Sequence, residues 1–520
     1  MKYDINQIAS ILGVKDNNLY SAEISILLTD SRKLSNPSET LFFALETKNN
    51  DAHNFINELY DSGIRNFVVS KQLPQWKSFQ NVNLIKVKDC LHALQKIAIY
   101  HRALFNIPVI GITGSNGKTI VKEWLYQLLE KDYNIVRSPR SYNSQIGVPL
   151  SVCQLNQEAE LGIFEAGISM PNEMALLVPI IKPTIGVLTK IGEAHQENFS
   201  SLQQKTMEKL ELFVDSEVLI YDEDNQLVDR CIDLKVLSQK TFTWSRINRE
   251  AHLFISRIEK KPELTQISYS FMNFNYSFSI PFTDDASIEN AINCLAVALY
   301  LHVPPTEISE RMATLDPVAM RLDVRQGKKG CLIINDSYNS DINSIKIALD
   351  FQQQRKLQQS LKKTLILSDI LQSGVLPKTL YKRVAEMIEQ SGVQRLIGIG
   401  KDILANAEFF NLQDKSFYAS TEEFLKKVTV ESFKNELILL KGARRFHFEE
   451  INTLLEERIH ETRLEVDLDA VVNNFNFYKS KLKPNVKLVC MVKANGYGAG
   501  AVEIAKTLQY HRCDYLAVAV

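Results

Sequence analysis

The chain has 520 residues, which at about 150 residues per domain predicts three or four domains. Its 45% hydrophobic and 23% charged residues are ordinary for a globular protein, and a net charge of −1 excludes a global attraction to nucleic acid or anionic membranes. Seven scattered cysteines without metal-type spacing predict reduced thiols in a cytoplasmic protein, and no stretch approaches the roughly 18 apolar residues of a membrane span.

Residues 1–100 predict a small mixed α/β domain. We expect strands at 24–28, 41–45 and 66–69 and a helix at 54–62. The polar run Asp30-Ser31-Arg32 follows the first strand. It is either an ordinary turn or a loop whose arginine and hydroxyl bind a phosphate-bearing substrate, and both interpretations remain open.

Residues 101–318 predict an α/β nucleotide-binding domain. The run GITGSNGKT at 111–119 lies between an apolar strand and an amphipathic helix, the context of a phosphate-binding loop. Backbone N–H groups, the helix N-terminus and a lysine would hold the phosphates, and the threonine hydroxyl can ligate Mg²⁺. The glycine spacing differs from that of the common loop. The loop residues expected to bind ATP are Gly114, Ser115, Asn116, Gly117, Lys118 and Thr119.

Further polar residues follow the strands and helices of this domain. An apolar strand ends at Glu165, and His195 follows the next strand, so both should reach the sheet edge where the loop lies. Lys209 lies in an amphipathic helix at 201–213, where the sequence alone indicates a solvated charged face. Asn290 and Asn293 share one face of an apolar helix at 287–301, and their partner is either a ligand base or neighbouring backbone.

From about 319 the strand–helix alternation restarts and predicts a Rossmann-like parallel sheet up to about 457. Polar clusters follow two of its strands, at 335–339 and 441–445. Two such domains facing each other across a cleft are typical of ligases that close over ATP. A third restart at about 458 predicts a short β-α-β-α-β run, too short for an eight-unit barrel.

Six stretches together resemble the Mur ligases, the ATP-dependent amide ligases of peptidoglycan precursor synthesis. They are the loop at 111–119 and residues 142–149 (YNSQIGVP), 165–167 (EAG), 188–195 (LTKIGEAH), 335–339 (NDSYN) and 441–444 (KGAR). The resemblance covers residues 1–457 and is closest to the members that add D-alanyl-D-alanine to UDP-N-acetylmuramoyl-tripeptide. It implies a UDP-substrate-binding domain at 1–100, a central ATP-binding domain at 101–318 and a Rossmann-like C-terminal domain at 319–457.

The resemblance also implies roles for individual residues. Catalysis and Mg²⁺ binding would involve Lys118, Thr119, Glu165, His195 and a carbamoylated Lys209. Residues implied to contact ATP outside the loop are Asn290, Asn293, Arg321, Asp336, Tyr338 and Asn339. Residues implied to bind the other substrates are Ser31, Arg32, Asn143, Ser144, Lys441 and Arg444. Two departures from the family pattern are Glu289, where a histidine is usual, and the residues that follow Asn339.

The last segment resembles the start of alanine racemase, a pyridoxal-phosphate barrel, through residues 466–470 and 492–498. Lys493 matches its Schiff-base lysine. The resemblance implies a ligase–racemase fusion cut short at 520, so we expect no racemase activity from this chain. The complete fusion would supply D-alanine upstream of the ligase step, and a homodimer remains open for it.

The expected reaction runs through an acyl phosphate, formed when a substrate carboxylate attacks the γ-phosphate of ATP. Two alternatives remain. One is an amide ligase with a different acceptor, including a folylpolyglutamate-type enzyme or another step of the same pathway. The other is a nucleotide-binding protein that has kept the loop and lost the chemistry.

Overall fold

A computed structural model gives the fold, and its contacts divide the chain into two compact units. One comprises Met1–Ile97 and Arg458–Val520, and the other comprises Ala98–Glu457. The domain boundaries predicted at 100, 318 and 457 remain predictions. The structure describes residues 2–15, 19–34, 36–47, 50–139, 141–192, 198–262, 264–316, 318, 323–337, 340–356, 361–371, 375–457, 466, 468–483, 486–497, 500–511 and 513–518.

The N-terminal segment is built on a four-stranded parallel sheet. The strands of the whole segment are β1 (Tyr3–Asp4), β2 (Glu23–Ile24), β3 (Ile26–Leu28), β4 (Thr40–Phe43), β5 (Glu46–Thr47), β6 (Asn50–Asp51), β7 (Asn66–Val69) and β8 (Asn83–Lys86). Its helices are α1 (Ile5–Leu12), α2 (Ile56–Asp61) and α3 (Cys90–Ala103), the last of which runs into the second unit. The parallel sheet has the order β3-β4-β7-β8, whereas β1 pairs with β2 and β5 with β6 in antiparallel ribbons.

The second unit begins with a nine-stranded sheet. Its strands are β9 (Val109–Thr113), β10 (Ile135–Arg137), β11 (Leu161–Glu165), β12 (Ile185–Leu188), β13 (Val218–Asp222), β14 (Thr241–Ser245), β15 (Leu253–Lys260), β16 (Thr265–Phe271) and β17 (Phe274–Ile280). The order is β10-β11-β9-β12-β13-β14-β15-β16-β17, with parallel pairing as far as β15 and antiparallel pairing beyond it. The carboxyl ends of β9, β11, β12 and β13 therefore share one edge, where α/β proteins bind ligands.

Seven helices of this part of the chain are α4 (Lys118–Leu129), α5 (Gly147–Val152), α6 (Glu173–Ile181), α7 (Leu202–Leu210), α8 (Gln226–Leu234), α9 (Asp285–Tyr300) and α10 (Pro305–Met312). Nearly all of α9 is buried, so this helix is central to the core rather than amphipathic. The core joins α4 and α9 to the sheet through apolar side chains such as Trp124, Leu125 and Leu295.

The C-terminal part of this unit contains a second sheet. Its strands are β18 (Asp323–Gln326), β19 (Leu332–Asp336), β20 (Lys362–Ser368), β21 (Arg395–Ile399), β22 (Asp414–Tyr418) and β23 (Glu436–Lys441). Its helices are α11 (Ile342–Lys356), α12 (Pro377–Gln390), α13 (Lys401–Ala405), α14 (Thr421–Lys427) and α15 (Phe448–Leu455). The order is β18-β19-β23-β20-β21-β22, all parallel except the edge strand β18, and apolar clusters cover both faces.

The segment after 457 contains a two-stranded parallel sheet. Its elements are α16 (Leu468–Ser480), β24 (Val489–Met491), α17 (Lys493–Tyr497), α18 (Ala501–Tyr510) and β25 (Tyr515–Ala517). Its buried apolar cluster is small and centres on Phe475, Val492 and Leu508. Large apolar side chains on and beside the two strands, including Val489 and Tyr515, are exposed.

Two predicted elements differ from the structure. The strand expected at 24–28 is divided, because Glu23–Ile24 pair with β1 whereas Ile26–Leu28 pair with β4. The helix expected at 54–62 begins as a tighter turn at Ala52–Phe55. The first strand of the β-α-β-α-β run expected from about 458 lies almost wholly outside the described residues.

Within the described part of the chain, no helix combines the length and the apolar character needed to cross a membrane. All seven cysteines are free thiols, as their scattered positions predict.

Candidate active site

The phosphate loop connects β9 to α4 and depends on two glycines. Gly114 has φ of 153° and Gly117 has φ of 86°, values that side chains disfavour. A Cβ atom at Gly117 would overlap the side-chain oxygen of Asn290, and one at Gly114 would overlap that of Thr189. The glycines therefore allow the loop to lie directly against both neighbours.

The loop is fastened to the segment that follows β12. The Ser115 N–H donates to the Lys190 carbonyl at 2.9 Å, and the Ser115 hydroxyl donates to the Gly192 carbonyl at 3.0 Å. The Thr189 hydroxyl donates to the Asn116 carbonyl at 2.6 Å. Asn116 Nδ2 is buried without an acceptor among the described residues, and Asn116 lines the cavity above the loop, so a ligand oxygen there would complete its hydrogen bonding.

Lys118 and Thr119 open α4 and point their polar groups back towards the loop and sheet edge. Lys118 Nζ donates to the Gly114 carbonyl at 2.8 Å. Thr119 Oγ1 donates to Glu165 Oε2 at 2.9 Å. Glu165 is fully buried at the end of β11, so the structure brings a hydroxyl and a carboxylate together beside the phosphate loop. Oxygen ligands of this kind suit Mg²⁺.

Lys209 is buried, contrary to the solvated face that its helix pattern indicates. It lies on α7 one turn after Lys205, and both side chains face inwards. Burial is the main reason that the pKa of the Lys209 ammonium lies well below its ordinary range, and the positive charges of Lys118 and Lys205 lower it further. Lys209 lines the same cavity as the phosphate loop.

A cavity of about 400 Å³ extends from the loop to the second sheet. Asp336 and Lys441 line it from the adjacent ends of β19 and β23, and Lys441 Nζ donates to Asp336 Oδ2 at 2.6 Å. Both side chains are buried, so each neutralises a charge that would otherwise be costly. The cavity is thus lined by residues from both sheets of this unit.

The two asparagines of α9 lie in different surroundings. Asn290 lines the cavity and touches the loop at Gly117. Asn293 is engaged by protein, since its Oδ1 accepts from Trp244 Nε1 at 2.9 Å and its Nδ2 donates to the Glu289 carbonyl at 3.1 Å. Glu289, the departure from the family pattern, forms an ion pair with Lys190 at 3.0 Å.

The remaining predicted residues divide into three groups. Asn143 and Ser144 line the cavity, whereas Arg444 is exposed beyond β23 and is absent from the lining. Ser31 and Arg32 lie in the other unit, where the Arg32 guanidinium pairs with Asp30 through two hydrogen bonds and is largely exposed. Lys493 is exposed at the start of α17. Predictions that fall outside the described residues are those for His195, Arg321, Tyr338 and Asn339.

Sequence reasoning missed one buried carboxyl in the cavity wall. Asp284 caps α9, where its Oδ1 accepts the Ser287 N–H at 2.8 Å, and burial raises the pKa of its carboxyl. Its other oxygen has no partner among the described residues. The N-cap position of Asp284 is visible in the sequence, because a pair of acidic residues precedes an apolar helix. Its place in the cavity, however, depends on the packing of α9 against α4.

Two family models match parts of the chain. The Mur ligase middle domain matches residues 112–298, and the N-terminal domain of alanine racemase matches residues 466–520. A UDP-N-acetylmuramoyl-tripeptide–D-alanyl-D-alanine ligase from Bacillus subtilis is 29% identical over 81% of this chain and 91% of its own length. The chain contains a Mur ligase middle domain. The Escherichia coli ligase of the same description is 25% identical to this chain over 87% of the chain and 98% of its own length.

Solved structures share the fold of this chain. A crystal structure of MurF from Acinetobacter baumannii matches with a TM-score of 0.74 at 21% identity, over 87% of this chain and 98% of the other. MurF ligase from Thermotoga maritima, in complex with ADP, matches with a TM-score of 0.67 at 21% identity, over 82% and 96% of the two chains. The expected Mur ligase fold and the racemase-like C-terminal segment are both confirmed.

Proposed function

We propose that this protein joins D-alanyl-D-alanine to UDP-N-acetylmuramoyl-tripeptide at the expense of ATP. The observation that carries the proposal is the cavity in which the phosphate loop, the Thr119–Glu165 pair and buried Lys209 meet. Two curated relatives that the chain matches over 91% and 98% of their own lengths are ligases of this description. The free thiols support a reducing, cytoplasmic setting for the reaction.

In the proposed reaction, the tripeptide carboxylate attacks the γ-phosphorus of ATP and ADP leaves. The amine of D-alanyl-D-alanine then attacks the acyl carbon, the amide bond forms, and phosphate leaves with the carboxylate oxygen. No protein nucleophile is required, so the protein acts by positioning and by neutralising charge. The N–H groups of the loop and Lys118 Nζ would bind the phosphate oxygens, and Asp336 and Lys441 would border the nucleotide from the second sheet.

Thr119 and Glu165 fit a Mg²⁺ ion, because their oxygens lie together next to the loop. When bound there, Mg²⁺ would supply positive charge to the phosphate oxygens. Lys209 as an ammonium would repel such an ion. We propose that it is carbamoylated, since its lowered pKa favours the free amine that reacts with carbon dioxide. Intact-mass measurement in bicarbonate should show a carbamate that is absent from Lys209→Met, and an active enzyme with unmodified Lys209 would contradict this.

The test of the proposed function is a release assay for inorganic phosphate. With ATP, the UDP-muramoyl tripeptide and D-alanyl-D-alanine present, we expect phosphate release that requires both the nucleotide sugar and the dipeptide. Phosphate release that does not depend on the dipeptide would favour a ligase with another acceptor. Nucleotide binding without release under any combination would favour the non-catalytic alternative.

For the last segment, we propose that it opens a racemase domain in which Lys493 would hold pyridoxal phosphate. The support is the match of residues 466–520 and the position of Lys493 two residues after the end of β24. The exposed Lys493 is accessible to the cofactor. A ligase–racemase fusion would couple the supply of D-alanine to its use, and a dimer of the full fusion belongs to the same proposal.

A further inference from the structure

A second, smaller cavity adjoins the phosphate cavity. It has a volume of about 250 Å³ and lies at the carboxyl ends of β12, β13 and β14. Asn290 lines both cavities, so the two are neighbours across a single side chain. Trp244 and Val228 give the smaller cavity apolar walls. A space with an aromatic wall and several polar side chains next to a phosphate loop is suited to the base of a nucleotide.

Two of the three carboxylates at this cavity are occupied by the protein. Asp224 accepts the Ser245 hydroxyl at 2.5 Å and the Arg246 N–H at 2.8 Å, one on each oxygen. Glu289 accepts both of its contacts from Lys190 Nζ, each at 3.0 Å. Both oxygens of each of these two side chains therefore already accept a hydrogen bond from the protein.

Asp222 is different. It ends β13, lines the cavity and is mostly buried, and within the described chain its single hydrogen bond is from the Asp224 N–H to Oδ1 at 3.1 Å. Among the described carboxylates of this cavity, only the second oxygen of Asp222 accepts no hydrogen bond from the protein. The Asn293 amide is held by Trp244 and by its own helix, so this asparagine is less suited to reading a base.

We propose that Asp222 determines the base specificity of this protein by accepting a hydrogen bond from the exocyclic amine of adenine. The proposal rests on the proposed use of ATP. A carboxylate with one oxygen already bound to backbone offers the other to a single donor, which matches the 6-amino group. Guanine would place its 6-keto oxygen against the carboxylate, and two acceptors repel each other. Asp222 is thus a specificity residue, distinct from the loop that binds phosphates.

The test compares nucleotide affinities of the full chain by calorimetry. The ligands are ATP, GTP and purine riboside triphosphate, which lacks the 6-amino group. We expect the wild-type protein to bind ATP at least about tenfold more tightly than either analogue, the effect of one charge-assisted hydrogen bond. In Asp222→Asn this preference for ATP over purine riboside triphosphate should fall to within about twofold, and GTP binding should improve because an amide can donate to the keto oxygen.

The matched control is Glu223→Gln, which removes the same charge one residue away. Glu223 is not part of the cavity lining and binds Asn248 at 2.7 Å. The Glu223→Gln variant should prefer ATP as strongly as the wild-type protein does. An equal affinity of the wild-type protein for ATP and purine riboside triphosphate would overturn the proposal whether or not any variant folds. So would an undiminished preference in Asp222→Asn. Discrimination between nucleotides without ligase turnover would refute only the proposed function, whereas absence of nucleotide binding would refute both.

Discussion

Lys118 carries the one positive charge that the phosphate loop itself contributes. Its ammonium is held over the loop by the Gly114 carbonyl at 2.8 Å, so it is positioned before any phosphate arrives. We expect Lys118→Ala to lower kcat for phosphate release by at least about 10²-fold, the typical loss for one charge-stabilising group in an active site. The exposed Lys131→Ala serves as the control and should leave kcat unchanged. Full activity in Lys118→Ala would show that the loop does not bind the reacting phosphate.

The ionised carboxylate of Asp222 should lower the free energy of unfolding of the unliganded protein. Burial is the main cause that raises the pKa of its carboxyl from 3.8 to about 6. The hydrogen bond from the Asp224 N–H and the charge of Arg246 oppose this rise, whereas the charges of Asp224 and Glu289 add to it. A raised acid pKa means that the folded state binds more protons than the unfolded chain between pH 4 and 6. Unfolding free energy therefore falls as pH rises through this window, by at most about 3 kcal/mol at 1.4 kcal/mol per pKa unit.

Asp222→Asn removes this titration while keeping the shape of the side chain. We expect its melting temperature to exceed that of the wild type at pH 7.5, with the difference shrinking towards pH 5. Glu223→Gln should show no such trend. A difference that grows as pH falls would contradict the assigned direction of the pKa shift.

At the scale of elements, the loop and α9 are fitted to each other at Gly117. Gly117→Ala should cost about 1–2 kcal/mol of backbone strain and displace the Asn290 side chain from between the two cavities. We expect nucleotide affinity to fall at least about tenfold. Gly13→Ala is a matched control, since Gly13 has a similar φ of 75° and no atom lies within 4 Å of the added methyl. It should lose stability without losing nucleotide affinity.

The parallel strands were predictable because each is a short apolar run followed by a polar or glycine-rich turn. Asn66–Val69 was placed correctly, and Leu161–Glu165 ends at the predicted carboxylate. The antiparallel strands β15–β17 were missed. The sequences of β16 and β17 do alternate between apolar and polar residues, but the two-residue turn between these strands is Met272-Asn273, both at positive φ. Turns of this kind usually contain glycine, and the methionine here gives no local signal of a turn.

Site residues were predictable where a motif fixes them and unpredictable where only packing does. The loop lysine and Glu165 follow from strand–turn chemistry. The burial of Lys209 follows from the resemblance alone, because its helix has ordinary amphipathic spacing. Asp222 and Asp284 enter their cavities through contacts between segments far apart in sequence, and a polar residue at a strand end or helix cap is usually solvated.

At the scale of the whole chain, every residue proposed to bind ATP lies between 98 and 457, and therefore outside the racemase-like last segment. Ending the chain after Glu457 should therefore leave kcat for phosphate release within about twofold of the full chain. It should also lower the binding of a hydrophobic dye, because the removed segment exposes Val489, Met491 and Tyr515 over a small core. A loss of activity greater than tenfold would assign a role in the ligase reaction to the racemase-like segment.

The hydrogen bonds that fasten the phosphate loop to residues 189–192 have a thermodynamic consequence. A free glycine-rich loop would lose conformational entropy when it closes on a nucleotide, and that loss would weaken binding. Here the Lys190 and Gly192 carbonyls and the Thr189 hydroxyl already order the loop when the protein folds. Nucleotide association then needs little loop rearrangement. The entropic cost of ordering this segment lowers the stability of the fold instead of the affinity for the phosphates.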